Sequence, residues 1–164
     1  MTYSCLYKSP IGVLLIEEEN GKITDIHLQR EATQNFSPEN GKQPSALLRE
    51  ACIQLDEYFQ GKRKQFDLPL SYEGTDFQQR VWRELQKIPY GETRSYEDIA
   101  VGAGSPKAQR AVGQANNRNP IMIIVPCHRV IHKNGDISGY ACGIEAKRYL
   151  LELEKNKNEA DQIF

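Results

Sequence analysis

Cys127, His128 and Arg129 place a nucleophile, a base and a fixed cation in consecutive positions. The thiolate is the reactive form of cysteine, and positive neighbours stabilise it. An imidazole beside it suits proton transfer. The competing reading is simple packing, because cysteine is among the most buried residue types. Before the triplet comes Ile121-Met122-Ile123-Ile124-Val125, β-branched except for Met122, which predicts a buried segment. Pro126 has no amide donor, so regular structure should break there.

The elements that must position this stretch are marked by periodicity and punctuation. Residues 2–29 alternate as strands, with Tyr3, Cys5 and Tyr7 on one side and Asn20-Gly21 as a hairpin turn, which predicts a three-stranded meander. Residues 30–43 are polar loop. A helix starts at Ser45, carries Leu48, Cys52, Leu55 and Phe59, and stops at Gly61 as a C′ glycine. Cys52 on that stripe reads as packing. A boundary near Leu70 to Gly74 gives domains of 1–70 and 71–155, with 156–164 a flexible tail.

In the second part, Thr75 or Asp76 caps a helix faced by Phe77, Val81, Leu85 and Ile88, with Trp82 beside them. Ser95 caps a short helix, Gly102 and Gly104 make a turn, and Ser105-Pro106 opens the next helix with serine as N-cap. Helix, glycine turn, helix is a helix-turn-helix pattern. The second of these helices carries Ala111 and Gly113 on a small-residue face. Such a face permits close approach of another backbone, nucleic acid included, or close packing on a neighbouring helix; the sequence leaves both open. Glu145 to Lys155 predicts a last helix with a face of Ala146, Tyr149, Leu150 and Leu153.

The 164 residues suit one domain or two small ones, and the net charge of −1 does not by itself point to nucleic acid. The local balance differs: from Arg94 to Lys133 there are Arg94, Lys107, Arg110, Arg118, Arg129 and Lys133 against only Glu97 and Asp98. Four cysteines without a Cys-x-x-Cys, and a start without a signal-peptide pattern, predict reduced thiols in a cytoplasmic protein. No apolar run approaches a membrane span. Cys5 and His27 could meet across the sheet, but two ligands do not close a zinc site, so neither metal nor cofactor is expected.

Pro126-Cys127-His128-Arg129-Val130 resembles the active-site signature of the O6-alkylguanine-DNA alkyltransferases. Arg110-Ala111-Val112-Gly113, Asn119-Pro120 and Ser95-Tyr96 upstream, with Gly139-Tyr140 and Gly143 downstream, extend the resemblance from Phe77 to Glu154. It implies an α/β N-terminal domain, a small antiparallel sheet plus helix, followed by a mainly helical, winged helix-turn-helix-like C-terminal domain. It also implies a reaction: one alkyl group moves from O6 of guanine, and O4 of thymine, in double-stranded DNA onto Cys127, and the protein is then spent. By the same resemblance His128 is the base, acting through a bridging water, and Glu154 orients it. Tyr96 donates to the leaving base and helps turn the target phosphate, and Asn119 is a hinge. Arg110 fills the gap left by a flipped base, while Ala111 and Gly113 lie in the minor groove with Lys107 and Arg118 nearby. Tyr140, Pro126, the Val130 carbonyl and the Ala141 amide line the base pocket. Ala141-Cys142 stands where some members have Ser-Gly, which would restrict bulky adducts. A monomer is expected.

Two other classes compete. A lesion-binding protein or winged-helix regulator of similar fold would bind without transfer; relatives of that kind lack the cysteine that this chain keeps, and no zinc-bearing adaptor domain is expected before the core. A Cys-His hydrolase would turn over repeatedly, but its partners come from distant sequence positions rather than adjacent ones.

Overall fold

The alternation of the first thirty residues resolves into β1 (Thr2–Ser9), β2 (Gly12–Glu19) and β3 (Lys22–Leu28), an antiparallel sheet in the order β1-β2-β3. The structure is a computed structural model describing residues 2–29, 45–137 and 143–163, with side chains as far as Asn156. The chain divides into two compact units, Met1–Tyr72 and Glu73–Phe164.

In the first unit, register decides which side chains meet. Cys5 pairs with Ile16 and Ile16 with Ile26, so these three share a face. His27 pairs with Leu15 and points to the other face. Cys5 and His27 therefore do not meet, contrary to the possibility raised by their spacing. Helix α1 (Ala46–Phe59) packs on the sheet with Leu48, Ala51, Leu55 and Tyr58 buried. The Ser45 hydroxyl accepts from the Leu48 amide and caps it. At the other end Gly61, at φ 77°, closes a Schellman motif: its amide bonds to the Tyr58 carbonyl and that of Lys62 to the Glu57 carbonyl. Gln54 is buried on the same helix because its amide spans both backbone groups of Asp67, at 2.9 and 3.1 Å. The polar segment 30–43 lies outside the described residues.

The second unit begins with α2 (Asp76–Gln86), started by a capping box between Thr75 and Gln78. Then come β4 (Arg94–Ser95) and α3 (Tyr96–Gly102), whose capping box joins Ser95 and Asp98. Next are α4 (Gln109–Asn117), a 3₁₀ turn at Cys127–Arg129, and β5 (Val130–Ile131), which pairs in parallel with β4. The last helix is α5 (Ile144–Ile163). The Trp82 indole donates to the Ala115 carbonyl at 2.9 Å, fixing α2 against α4. No described helix is long and apolar enough to cross a membrane.

The structure departs from the sequence reading in three places here. Ser105-Pro106 does not open α4, which starts at Gln109 with Ala108 as an uncapped boundary. The Ser105 amide is already engaged with the Ala100 carbonyl, closing α3 through Gly104 at φ 83°, and residues 105–108 make a turn instead. Helix α5 continues past Lys155 to Ile163, since no proline or glycine interrupts it, so the tail expected to be flexible is helical. Its inward face is also turned: Ala146, Lys147, Leu150 and Glu154 are buried, while Tyr149 is exposed. Two charged side chains take inward positions because, as shown next, each finds polar partners there.

Candidate active site

The nucleophile is presented by a clamped turn rather than a strand. Asn119 Oδ1 accepts from the Ile121 amide at 3.0 Å, and its Nδ2 donates to the Val125 carbonyl at 2.7 Å. Within this clasp the Val125 amide bonds to Ile121 and that of Ile124 to Met122. The apolar run is buried as its composition predicts, but it is wound tightly enough to place Ile123 at φ 73°. A β-branched residue in that region carries strain of about 1–3 kcal/mol, tolerated only where surroundings over-determine it. Pro126 ends the turn, and Cys127 opens the 3₁₀ segment with 3 % of its surface exposed. Its carbonyl accepts from Asn116 Nδ2 on α4 at 3.2 Å.

His128 is fully buried, and its Nε2 lies 2.6 Å from Glu154 Oε2. Arg129 grips the same carboxylate, Nε to Oε1 at 2.8 Å and Nη2 to Oε2 at 3.0 Å, while its Nη1 donates to the Ile88 carbonyl at 2.7 Å. Burial alone would raise the Glu154 pKa; the contact with His128 and the Arg129 fork overcome it and hold the carboxyl well below the usual range. An ionised carboxylate only accepts, so Nε2 carries the imidazole proton. Burial is the main cause holding His128 below its ordinary value, with Arg129 and Lys147 pushing the same way against the pull of Glu154. His128 is thus a neutral base whose other nitrogen, Nδ1, has no hydrogen-bond partner among the described residues.

Lys147 completes the charge pattern. It is wholly buried, and its ammonium donates to the Val130 carbonyl at 2.5 Å. Burial pushes its pKa down to about 8, opposed by attraction to Cys127 and Asp136. That attraction is mutual, so an ammonium at Lys147 favours the Cys127 thiolate. The Val130 carbonyl, expected to accept from the base, also accepts from Lys147, and a carbonyl has a second lone pair.

A groove of about 410 Å³ runs along α4, lined by Tyr96, Gln109, Arg110, Gly113 and His132 among others. The Tyr96 and His132 rings lie 4.9 Å apart between centroids. Burial raises the Tyr96 pKa first, and the Cys127 charge adds to it, so the hydroxyl feels the thiolate. A Cβ at Gly113 would meet only the Tyr96 ring, at 3.8 Å, an ordinary contact. Neighbouring protein therefore does not demand a glycine at that position. Lys107, Arg110 and Arg118 are exposed, and Ala111 is half-buried. The rest of the basic stretch is engaged: Arg94 with Glu92 at 3.1 Å, Lys133 with Glu97 at 3.3 Å, and Arg129 inside.

Cys127, His128, Glu154, Tyr96 and Asn119 thus fall in one unit, with Pro126 and Val130 buried beside them. Tyr140, Ala141 and Cys142 lie outside the described residues. Sequence reading missed Lys147, the ion pair of Arg129 with Glu154, Asn116 and His132. One signal was available: Lys147 and Glu154 are seven positions apart, two helical turns, and so share a face.

Residues 2–72 match the family description "6-O-methylguanine DNA methyltransferase, ribonuclease-like domain", and residues 76–156 match its "DNA binding domain". The chain is 51 % identical over 161 residues to the constitutive methylated-DNA–protein-cysteine methyltransferase of Bacillus subtilis, covering 94 % of this chain and 96 % of that one. It is 47 % identical over 152 residues to the methylated-DNA–protein-cysteine methyltransferase of Methanosarcina acetivorans, covering 93 % and 97 %. The crystal structure of Mycobacterium tuberculosis OGT in complex with DNA superposes with a TM-score of 0.83 at 47 % identity, over 93 % of this chain and 92 % of that one. With an antiparallel sheet and helix followed by a helical unit that carries the buried Cys127, His128 and Glu154, the chain belongs to the 6-O-methylguanine DNA methyltransferase family.

Proposed function

We propose that this protein repairs double-stranded DNA by moving an alkyl group from O6 of guanine, and O4 of thymine, to Cys127, once per molecule. The observation that carries this reading is the buried His128–Glu154 contact of 2.6 Å immediately beside Cys127 in sequence. The Cys127 proton passes towards His128 Nδ1, the ring nitrogen that no described side chain engages; in the family a water bridges this step. The thiolate attacks the alkyl carbon in line, the S–C bond forms, and the C–O6 bond breaks. The guanine anion leaves with a proton or hydrogen bond from the Tyr96 hydroxyl. Glu154 stabilises the transient imidazolium, as the acid does in other triads. Nothing returns the thioether to a thiol, so one protein is consumed for each lesion.

The lesion is out of reach in a stacked duplex and must be extruded, at a cost of a few kcal/mol. Arg110, exposed on the groove, fills the gap, and the open face at Gly113 admits a close backbone. Minor-groove readout is degenerate, which suits repair independent of sequence. Lys107 and Arg118 contact phosphates. Pro126 and Val130 take part in the base pocket, to which Tyr140 and Ala141 are assigned by the family resemblance alone, with Asn119 holding the loop that carries the nucleophile. A monomer acting in the cytoplasm, without metal or cofactor, suffices for this chemistry.

Intact-protein mass after mixing with an oligonucleotide containing O6-methylguanine tests the reading. The expected result is a gain of one methyl, saturating at one per protein and mapping to Cys127. Retained binding with no gain in mass would replace it with lesion binding without transfer, and repeated turnover on an ester would point to a hydrolase.

A further inference from the structure

Cys5 in β1 and Cys52 in α1 are 47 residues apart in sequence, yet their sulfurs lie 3.8 Å apart. Both belong to the first unit, and neither serves the chemistry of Cys127. Their surroundings differ. Cys5 sits on the inner face of the sheet with 6 % of its surface exposed, whereas Cys52 is half-buried and reachable. One helical turn on, Asp56 accepts from the Tyr7 hydroxyl at 2.7 Å, which pins the strand to the helix beside the two thiols.

We propose that Cys5 and Cys52 are a redox-active dithiol that hydroperoxides oxidise to an intramolecular disulfide, fastening α1 to β1. The geometry permits it: the sulfurs need to close from 3.8 Å to about 2.05 Å, within reach of a side-chain rotation when strand and helix already touch. The roles are asymmetric. The hydrogen bond between them lowers the Cys52 pKa, against burial and the Asp56 charge, and raises that of Cys5. Cys52, the half-buried and reachable sulfur, is therefore the one that meets the peroxide, and the enclosed Cys5 is the resolving thiol.

The step balances. Cys52 sulfur attacks one peroxide oxygen, the O–O bond breaks, and the departing alkoxide or hydroxide takes up a proton. Cys5 sulfur then attacks the Cys52 sulfenic acid, the S–S bond forms, the S–O bond breaks, and water leaves with the Cys5 proton. Two thiols give two electrons to one peroxide, yielding a disulfide, a water and an alcohol, or a second water when the oxidant is hydrogen peroxide.

The test uses the whole chain. Reduced protein is treated with one equivalent of hydrogen peroxide, blocked with iodoacetamide and digested. The expected product is a Cys5–Cys52 cross-linked peptide pair, lighter than the sum of the thiol peptides by about 2 Da, with a melting temperature raised by several degrees and restored by dithiothreitol. Cys5→Ser should leave a sulfenic acid at Cys52 that dimedone traps, and Cys52→Ser should abolish the cross-link. Cys5 and Cys52 peptides that both still take up iodoacetamide after peroxide would overturn the proposal without recourse to any variant. So would over-oxidation of wild-type Cys52 to the sulfinic acid with Cys5 unreacted.

Discussion

Two places in this molecule hold a thiol against a helix, and they treat it in opposite ways. Around Cys127 the nearby charges are cationic or paired: Lys147 attracts the thiolate, and the Arg129 guanidinium and neutral His128 share one carboxylate. Around Cys52 it is the hydrogen bond with Cys5 that favours the thiolate, against burial and the Asp56 carboxylate, with no cation among the described residues taking part. The first environment favours attack on an electrophile carried in by a ligand. The second gives an oxidised sulfur a partner within the same unit. Burial does not distinguish them, since both contain a thiol that is almost fully enclosed; the identity of the nearest charges does.

The largest effect expected from breaking this contrast is at Cys127 itself. Cys127→Ala should abolish methyl transfer while DNA binding persists, whereas the Cys5→Ser, Cys52→Ser double variant should transfer at the wild-type rate; the mass assay reads both. Next in size is Glu154→Gln. It leaves Arg129 buried without its counter-charge and His128 without its anchor, so urea unfolding should show a loss of about 3–5 kcal/mol. Transfer by whatever folds should fall by at least about 10²-fold.

Lys147→Met keeps the volume and removes the charge. Single-turnover transfer should slow by about tenfold for each unit by which the thiolate pKa rises, with little change in DNA affinity. If DNA affinity fell instead, the ammonium would be a ligand contact rather than a partner of the thiol. In the unmodified protein the same charge is lost as pH climbs past about 8, so its support of the thiolate should fade there and the transfer rate should rise less steeply with pH than for a lone thiol.

Acid should weaken the second unit in a definite order. His128 and Glu154 both have folded-state pKa values below their ordinary 6.5 and 4.5. The unfolded chain therefore takes up protons that the folded one refuses, on His128 as pH drops below about 6.5 and on Glu154 below about 4.5. The stability these groups contribute is complete above those values and lost as pH falls; chemical denaturation from about pH 7 to 4.5 measures the His128 part, and its extension below about pH 4.5 the Glu154 part. The smallest effects should come from Lys107→Ala and Arg118→Ala, each reducing the dependence of log Kd on log salt by about one and leaving transfer from bound DNA unchanged.

Much of the fold could be read in advance because its signals are local. Ser45, Thr75 and Ser95 cap the helices they precede, and Gly61 ends α1, since a cap and its partner lie within a few residues. Ser105-Pro106 misled because its amide was claimed from the other side, by the end of α3. Cys127 and His128 stood out by adjacency, whereas Glu154 resembled an ordinary helix-end carboxylate until the family resemblance gave it a role. Lys147 was invisible for a related reason. Periodicity assigns charges to the outer face of a helix, and only a carbonyl and a thiol contributed by distant sequence could reverse that assignment. The Cys5–Cys52 contact is likewise a product of tertiary packing, of α1 on β1, which spacing along the chain does not reveal.

The placement of Lys147 and Glu154 on α5 also has a bearing on how the protein is made. Ribosomes release the Cys127 turn before α5 exists, so a nascent chain carries the thiol without the ammonium that favours its ionisation or the carboxylate that anchors its base. The arrangement that favours the thiolate therefore depends on α5 folding onto the turn. A thiol that gains its counter-charge and its base's anchor only when α5 docks is held less reactive until the whole second unit has folded.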